Sequence, residues 1–140
     1  MDRPSHAGLR HLALNVRDLA AMKRFYVDLL GFAVEWEPDP DNVYLSSGID
    51  NLALHRSAEA SRSDPTGSAS LQTSGALDHL GLIVHSADDV DRWAQFLESR
   101  GVTLKAKPRT HRDGARSMYF LDPDGNSIQI IHHPPISQKT

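Results

Sequence analysis

Two histidines at repeated positions are the first sign of chemistry in this chain. His11 lies in the segment 9–16, LRHLALNV, and His79 lies at the matching place in the segment 77–84, LDHLGLIV. Successive side chains of a strand point to opposite faces, so each histidine lies on the face away from its leucine neighbours. Imidazoles are common ligands for zinc, nickel, iron and copper. The repeated histidines therefore indicate a metal site on a shared face.

The last strand of each half offers one more candidate ligand. Alignment of residues 53–55, ALH, with residues 127–129, SIQ, pairs a histidine with a glutamine. The glutamine would supply an amide oxygen, which is a weaker and neutral donor. We expect four side chains to converge on one ion: His11, His55, His79 and Gln129.

Further side chains on the same predicted faces are candidates for substrate contact. Two lie at matched ends of the first strands, two at matched places in the third strands, and one in the glycine-containing segment 110–116, which is a candidate lid. The structural alternatives are a turn cap, sheet-edge tyrosines and a solvated arginine. His132 and His133 are predicted to belong to a solvated tail. The five candidates are Asn15, His85, Tyr44, Tyr119 and Arg116.

The elements that must position these side chains follow one order, β-α-β-β-β, in the first half. Residues 9–16 alternate as a strand, Asp18 is a helix cap, and apolar residues then recur at helical spacing up to Leu30. Gly31 is placed to end the helix in the left-handed region. The remaining strands are predicted at residues 32–36, 42–46 and 51–55.

The second half repeats this order. Residues 78–85 alternate as a strand, and Ser86 with Asp89 three residues later is typical of a capping box. The helix that follows ends at Gly101. Strands are predicted at residues 102–105, 117–121 and 126–131, the last two around the turn signal Asp122-Pro123-Asp124-Gly125.

These elements predict an α+β fold of two βαβββ modules, at residues 9–55 and 77–131, in a single domain of residues 1–140. Each module has a mostly antiparallel four-stranded sheet with one helix on its apolar face, and the other faces surround a metal-binding cleft. Residues 56–76 hold six serines, a proline and two glycines without apolar periodicity. They are predicted to form a flexible linker.

Composition excludes several function classes. The chain has 140 residues, 39% hydrophobic and 24% charged, with a net charge of −3 and interspersed signs, so nucleic acid is not an expected partner. No run approaches the roughly 18 apolar residues of a membrane span, and no signal-peptide segment is evident. Zero cysteines exclude disulfides and thiolate chemistry. We expect a cytoplasmic protein.

Three segments together carry a family resemblance. They are residues 10–19, RHLALNVRDL; the stretch from Phe25-Tyr26 to Leu29-Leu30-Gly31-Phe32; and residues 119–129, YFLDPDGNSIQ. With these motifs the chain resembles the vicinal oxygen chelate superfamily over residues 9–131. That superfamily includes glyoxalase I, extradiol dioxygenases, fosfomycin-resistance thiol transferases and bleomycin-resistance proteins.

The resemblance implies a divalent metal ion, either iron, zinc, nickel or manganese. The metal positions of the family map to His11, His79, His55 and Gln129. Where most metal-dependent members have a glutamate, this chain has Gln129, and an amide cannot take and return a proton as glyoxalase-type isomerisation requires. Neutral ligands leave the ion its full charge of +2, which suits an anionic, oxygen-bearing substrate.

Two functions follow from the resemblance. The first is a small metal-dependent enzyme, a lyase or dioxygenase of the glyoxalase/dioxygenase type, that acts on an oxygen-chelating small molecule. Addition of a thiol or of water is a further reaction type. The second is a small-molecule binding protein of the bleomycin-resistance kind, without a metal or with a structural one. We also expect a homodimer with two equivalent sites.

Overall fold

The computed structural model describes residue 5 and residues 9–57, 77 and 79–137, which form two compact units that divide after residue 69. None of the described helices is long and apolar enough to cross a membrane. The predicted linker falls almost entirely on residues 58–76, which lie outside the described residues. Each unit contains one four-stranded mixed sheet and one long helical segment, so the predicted fold of two βαβββ modules is confirmed.

The first unit forms its sheet in the order β1-β4-β3-β2, with β1 parallel to β4 and the other neighbours antiparallel. Its helix α1 continues directly as a short π-helix. Two register irregularities interrupt the pairing of β2 with β3. The elements are β1 (His11–Val16), α1 (Leu19–Arg24), the π-helix (Phe25–Leu29), β2 (Ala33–Asp39), β3 (Asn42–Ser46) and β4 (Asn51–Arg56).

The first helical segment has the predicted ends but a different interior. The Asp18 side chain accepts a hydrogen bond from the Ala21 backbone N–H, and Gly31 adopts a φ of +79°, as predicted. The backbone N–H of Leu30 bonds to the Phe25 carbonyl, five residues earlier, at 3.2 Å, where a regular helix would bond four residues earlier. Tyr26 is fully buried within this wider turn.

The second unit has the equivalent sheet order β5-β8-β7-β6, with β5 parallel to β8. The capping box of Ser86 and Asp89 is present at the start of α2, as predicted. Val90, Ala94 and Leu97 of α2 are buried. The elements are β5 (Leu80–Ile83), α2 (Ala87–Ser99), β6 (Leu104–Thr110), β7 (Arg116–Leu121), β8 (Ser127–His132) and α3 (Pro134–Ser137).

The predicted solvated tail is wrong for His132 and His133. His132 is the last residue of β8, and its Nδ1 is buried without a hydrogen-bond partner in the described structure. The backbone N–H of His133 donates to Ser137 Oγ at 2.8 Å, and Ser137 is buried. The chain therefore continues after β8 as the short helix α3. Its two prolines are typical of a helix break, so the sequence did not predict this helix.

Candidate functional site

Polar side chains of the first unit collect on one face of its sheet. In β1 the exposed His11 and Asn15 alternate with Leu14 and Val16, which are buried on the helix side. The register of β1 with β4 places Asn51 beside His11 and His55 beside Asn15. The predicted orientation of His11 and Asn15, away from the helix, is therefore confirmed, and β4 adds further polar groups to the same face.

Glu35, Asn51 and His11 form a hydrogen-bonded chain on this face. The amide Nδ2 of Asn51 donates to Glu35 Oε2 at 2.7 Å, and Asn51 Oδ1 lies 2.8 Å from His11 Nδ1. The Glu35 carboxylate can only accept hydrogen bonds, so the NH₂ end of the Asn51 amide must face it. The Asn51 oxygen therefore faces the imidazole and accepts the proton of Nδ1. His11 is held as the tautomer whose Nε2 keeps its lone pair.

Asp39, Asn42 and His55 repeat this arrangement. Asn42 Nδ2 donates to both carboxylate oxygens of Asp39, at 2.9 and 3.0 Å, and Asn42 Oδ1 lies 2.5 Å from His55 Nδ1. The Asn42 side chain, with the backbone N–H of Asp41, holds the pKa of Asp39 below its ordinary value. By the same reasoning His55 carries its proton on Nδ1 and keeps the lone pair on Nε2.

The strand register separates the two histidines of this unit. His11 pairs with Asn51, and His55 follows Asn51 by four residues, a shift of about 13 Å along the strands. Each ring is tied through Nδ1 to an asparagine at its own level of the sheet. Two imidazoles on one ion hold their nitrogens within about 4 Å of each other. The structure therefore does not bring His11 and His55 together at one level of the sheet, which disfavours a shared ion.

In the second unit, Gln129 and His79 both contact Tyr119. Gln129 Nε2 donates to the Tyr119 hydroxyl at 2.7 Å, and the rings of His79 and Tyr119 meet edge to face at 5.4 Å. Gln129 is 8% exposed. Its Oε1 faces Gly81 of β5, where a Cβ would lie 3.6 Å away. The structure thus brings together three of the predicted site residues.

The internal registers correct the predicted pairing of His55 with Gln129. Within the second unit Gly81 pairs with Gln129, and in the first unit Ala13 pairs with Ala53. Gly81 follows His79 by two residues, as Ala13 follows His11, so Gly81 and Ala13 are equivalent positions. Their strand partners are therefore equivalent too, and the counterpart of Gln129 is Ala53. The predicted alignment is therefore wrong by two residues, because it rests on the sequence of β4 alone and not on its pairing with β1.

The same comparison tests the predicted substrate contacts. Tyr44 pairs with Ala53 and Tyr119 pairs with Gln129, so the matched positions of the two tyrosines are confirmed. The counterpart of Asn15 is Ile83. His85 is exposed two residues beyond the end of β5, so it does not match Asn15.

Arg116 does not lie with the other candidates. Its register places it on the opposite face of the sheet from Tyr119, and two of its nitrogens donate to Asp91 of α2 at 2.6 and 2.9 Å. The Arg116 guanidinium lowers the pKa of Asp91, and the carboxylate raises that of Arg116. The structure therefore does not bring Arg116 together with Tyr119, because a helix carboxylate binds the guanidinium on the other face.

Sequence reasoning missed the four residues that orient the histidines. Glu35 and Asp39 belong to β2, where every side chain is exposed, and Asn42 and Asn51 begin β3 and β4. An asparagine before a strand is an ordinary turn residue, so its type carries no signal of its own. Only the pairing of all four strands of the first sheet brings these groups to His11 and His55.

The donor set fits a divalent ion only in part. Among the residues that the structure describes, no group of three or more histidine, aspartate or glutamate side chains is placed to hold a metal. Within the described residues no hydrogen bond engages His11 Nε2, and an acceptor on the other ring nitrogen is the usual partner of a metal-bound imidazole. The first unit thus offers the His11 imidazole as a donor, and the second unit offers the His79 imidazole and the Gln129 amide oxygen.

One family model and several curated relatives match most of this chain. A model of the Glyoxalase/Bleomycin resistance protein/Dioxygenase superfamily matches residues 8–130. Metallothiol transferase FosB of Staphylococcus epidermidis is 28% identical over 123 residues, which cover 87% of this chain and 79% of that protein. The uncharacterized protein YaeR of Escherichia coli is 31% identical over 131 residues, covering 87% of this chain and 93% of that protein.

Solved structures share the fold. Lactoylglutathione lyase from Agrobacterium tumefaciens matches with a TM-score of 0.73 and 23% identity, over 92% of this chain and 96% of that one. A glyoxalase/bleomycin resistance protein/dioxygenase from Alicyclobacillus acidocaldarius matches with a TM-score of 0.68 and 23% identity, over 91% of this chain and 92% of that one.

Proposed function

Because this chain belongs to the Glyoxalase/Bleomycin resistance protein/Dioxygenase superfamily, we propose that it is a small metal-dependent enzyme. Its substrate is a small molecule with two neighbouring oxygens. The observation that carries the proposal is the Glu35–Asn51–His11 chain, which keeps His11 Nε2 available as a ligand. The proposed ligands are His11, His79 and Gln129, and His55 is left out because of its position in the sheet.

A bound divalent ion would act as a Lewis acid that polarises a substrate oxygen. The chain's own residues supply orientation and hydrogen bonds. Gln129 is locked against Tyr119 and presents Oε1 on the side of β5 that lacks a side chain at Gly81. Tyr119 accepts from the Gln129 amide, so its own O–H proton is free to be donated to an oxyanion as it forms.

The reaction class that we favour is addition of a thiol to the substrate. Isomerisation by proton transfer needs a base in the site, and the Gln129 amide cannot take up a proton. A thiol addition makes no such demand on residue 129. The relationship to metallothiol transferase FosB supports this choice over the lyase and dioxygenase alternatives.

The experiment that tests the metal is elemental analysis of untagged protein. We expect a near-stoichiometric divalent metal that is lost in the His11→Ala, His79→Ala double variant. His55→Ala is the matched control, since it removes an imidazole from the same sheet face and should keep the metal. Loss of metal in His55→Ala, or metal-free parent protein that is fully folded, would contradict the proposal.

A second function, binding of a small molecule without chemistry, is favoured by one observation. Gln129 is nearly buried and its amide N–H donates a hydrogen bond to the Tyr119 hydroxyl, at a position where a carboxylate ligand would be expected. Folded protein without metal that binds a small molecule with unchanged affinity in EDTA would support this function. For either function we also propose that the protein is a homodimer. Sedimentation velocity measures its mass in solution and would detect a dimer.

A further inference from the structure

Three aromatic side chains form a continuous row across β2, β3 and β4. The rings of Trp36 and Tyr44 stack with centroids 5.1 Å apart and an angle of 26° between their planes. The His55 ring meets Tyr44 edge to face at 5.8 Å. Trp36 is 59% exposed, although its ring is large and apolar. The row therefore ends in an open flat surface on one side and in an imidazole on the other.

The imidazole of His55, at the end of this row, is held in one tautomer. Asp39 fixes the Asn42 amide, and the Asn42 oxygen accepts the His55 Nδ1 proton. Within the described part of the chain no hydrogen bond engages His55 Nε2. That nitrogen is a hydrogen-bond acceptor beside an aromatic surface, and the His55 residue is half-buried.

We propose that Trp36, Tyr44 and His55 form a binding site for a flat conjugated group that carries one N–H or O–H donor. The ring of the ligand stacks on Trp36 and Tyr44, and its donor bonds to His55 Nε2. Asp39 and Asn42 are positioning residues, because they act on the ligand only through the His55 tautomer. The site uses none of the proposed metal ligands, so its experimental test does not depend on the proposed function.

The chemistry of the neighbours narrows the ligand. The carboxylates of Glu35 and Asp39 lie on the same strand as Trp36, and anionic groups on the ligand would be repelled by them. A neutral or cationic donor is compatible with them, and a cation gains further attraction from the tryptophan face. A neutral heteroaromatic N–H group supplies the flat ring and the donor, and it carries no negative charge that the two carboxylates would repel.

Indole and 1-methylindole are matched probes for this site, because they differ in the N–H donor and otherwise present nearly the same ring. Binding to the 140-residue chain is followed by NMR at pH 8 in EDTA. We expect indole to bind about 3- to 10-fold more tightly than 1-methylindole, the range of one net hydrogen bond. Long-range ¹H–¹⁵N spectra should show His55 protonated at Nδ1 and a shift of Nε2 with indole only.

Three variants assign the effect. His55→Phe keeps an aromatic ring and should make the two probes bind equally, and Trp36→Leu should weaken both. Trp93→Phe, which changes the other tryptophan on α2, is the control and should leave both affinities unchanged. Asn42→Leu should convert His55 to a mixture of tautomers and reduce the preference for indole. Equal affinity of both probes in the parent, or His55 protonated at Nε2, would overturn the proposal.

Discussion

His11 Nδ1 lies 2.8 Å from Asn51 Oδ1, across the parallel pairing of β1 with β4. This one contact decides which nitrogen of His11 is available for chemistry. Because Glu35 accepts from the Asn51 amide nitrogen, the amide cannot turn around without placing its oxygen against a carboxylate. The imidazole therefore presents Nε2 with its lone pair before any ligand arrives.

Asn51→Leu is expected to weaken metal binding by about 10- to 100-fold, the usual cost of removing the partner that orients a metal-bound histidine. Competition with a chromophoric chelator for Zn²⁺ measures the affinity. Asn42→Leu is the matched control, since it removes the same group from His55. Equal losses in both variants would show that the effect is general to the sheet, and no loss in Asn51→Leu would contradict the role of His11.

Gln129→Glu is expected to raise the affinity for a divalent cation by about tenfold or more, because a carboxylate adds Coulomb attraction where the amide has none. Gln129→Met, which keeps the length and removes the oxygen, should lower it. Isothermal titration with Zn²⁺ and Ni²⁺ measures both. If the three proteins bind alike, Gln129 is not a ligand, and its hydrogen bond to Tyr119 serves packing only.

Ser86→Ala is expected to lower the free energy of unfolding by about 1 kcal/mol, because Ser86 caps α2 by accepting from the backbone N–H of Asp89. Urea denaturation followed by circular dichroism gives the value. Ser99→Ala removes an exposed hydroxyl at the other end of α2, and its effect should be much smaller. Equal effects of the two substitutions would argue that the cap does not stabilise the helix.

Asp91→Asn is expected to destabilise the fold at neutral pH and to have little effect in strong acid. The hydrogen bonds from Arg116 lower the pKa of Asp91 in the folded state below its unfolded value. Stabilisation from this group is therefore complete above the unfolded pKa and is lost as the pH falls through the folded one. Denaturation of parent and variant from pH 7 to pH 2 should converge. Asp28→Asn, at an exposed position on the first helical segment, is the control and should leave the free energy of unfolding nearly unchanged.

Local signals in the sequence determined most of the fold. The alternation in β1, the cap at Asp18, the box of Ser86 and Asp89, and Gly31 each depend on neighbours within a few residues. Propensities and caps act over that distance, so the pattern was sufficient to predict both modules and the outward face of His11. The short α3 escaped because its prolines are typical of an extended tail.

Strand pairing determined the site, and no local pattern encodes it. The register of β4 places Asn51 beside His11 and His55 four residues farther along the strand. The same register makes Ala53 the counterpart of Gln129. Arg116 was likewise drawn to Asp91, 25 residues earlier in the chain. A shift of one residue in a strand reverses its faces and a shift of two changes every cross-strand partner. The chemistry of His11 and His55 thus follows from contacts that exist only once the sheet has formed.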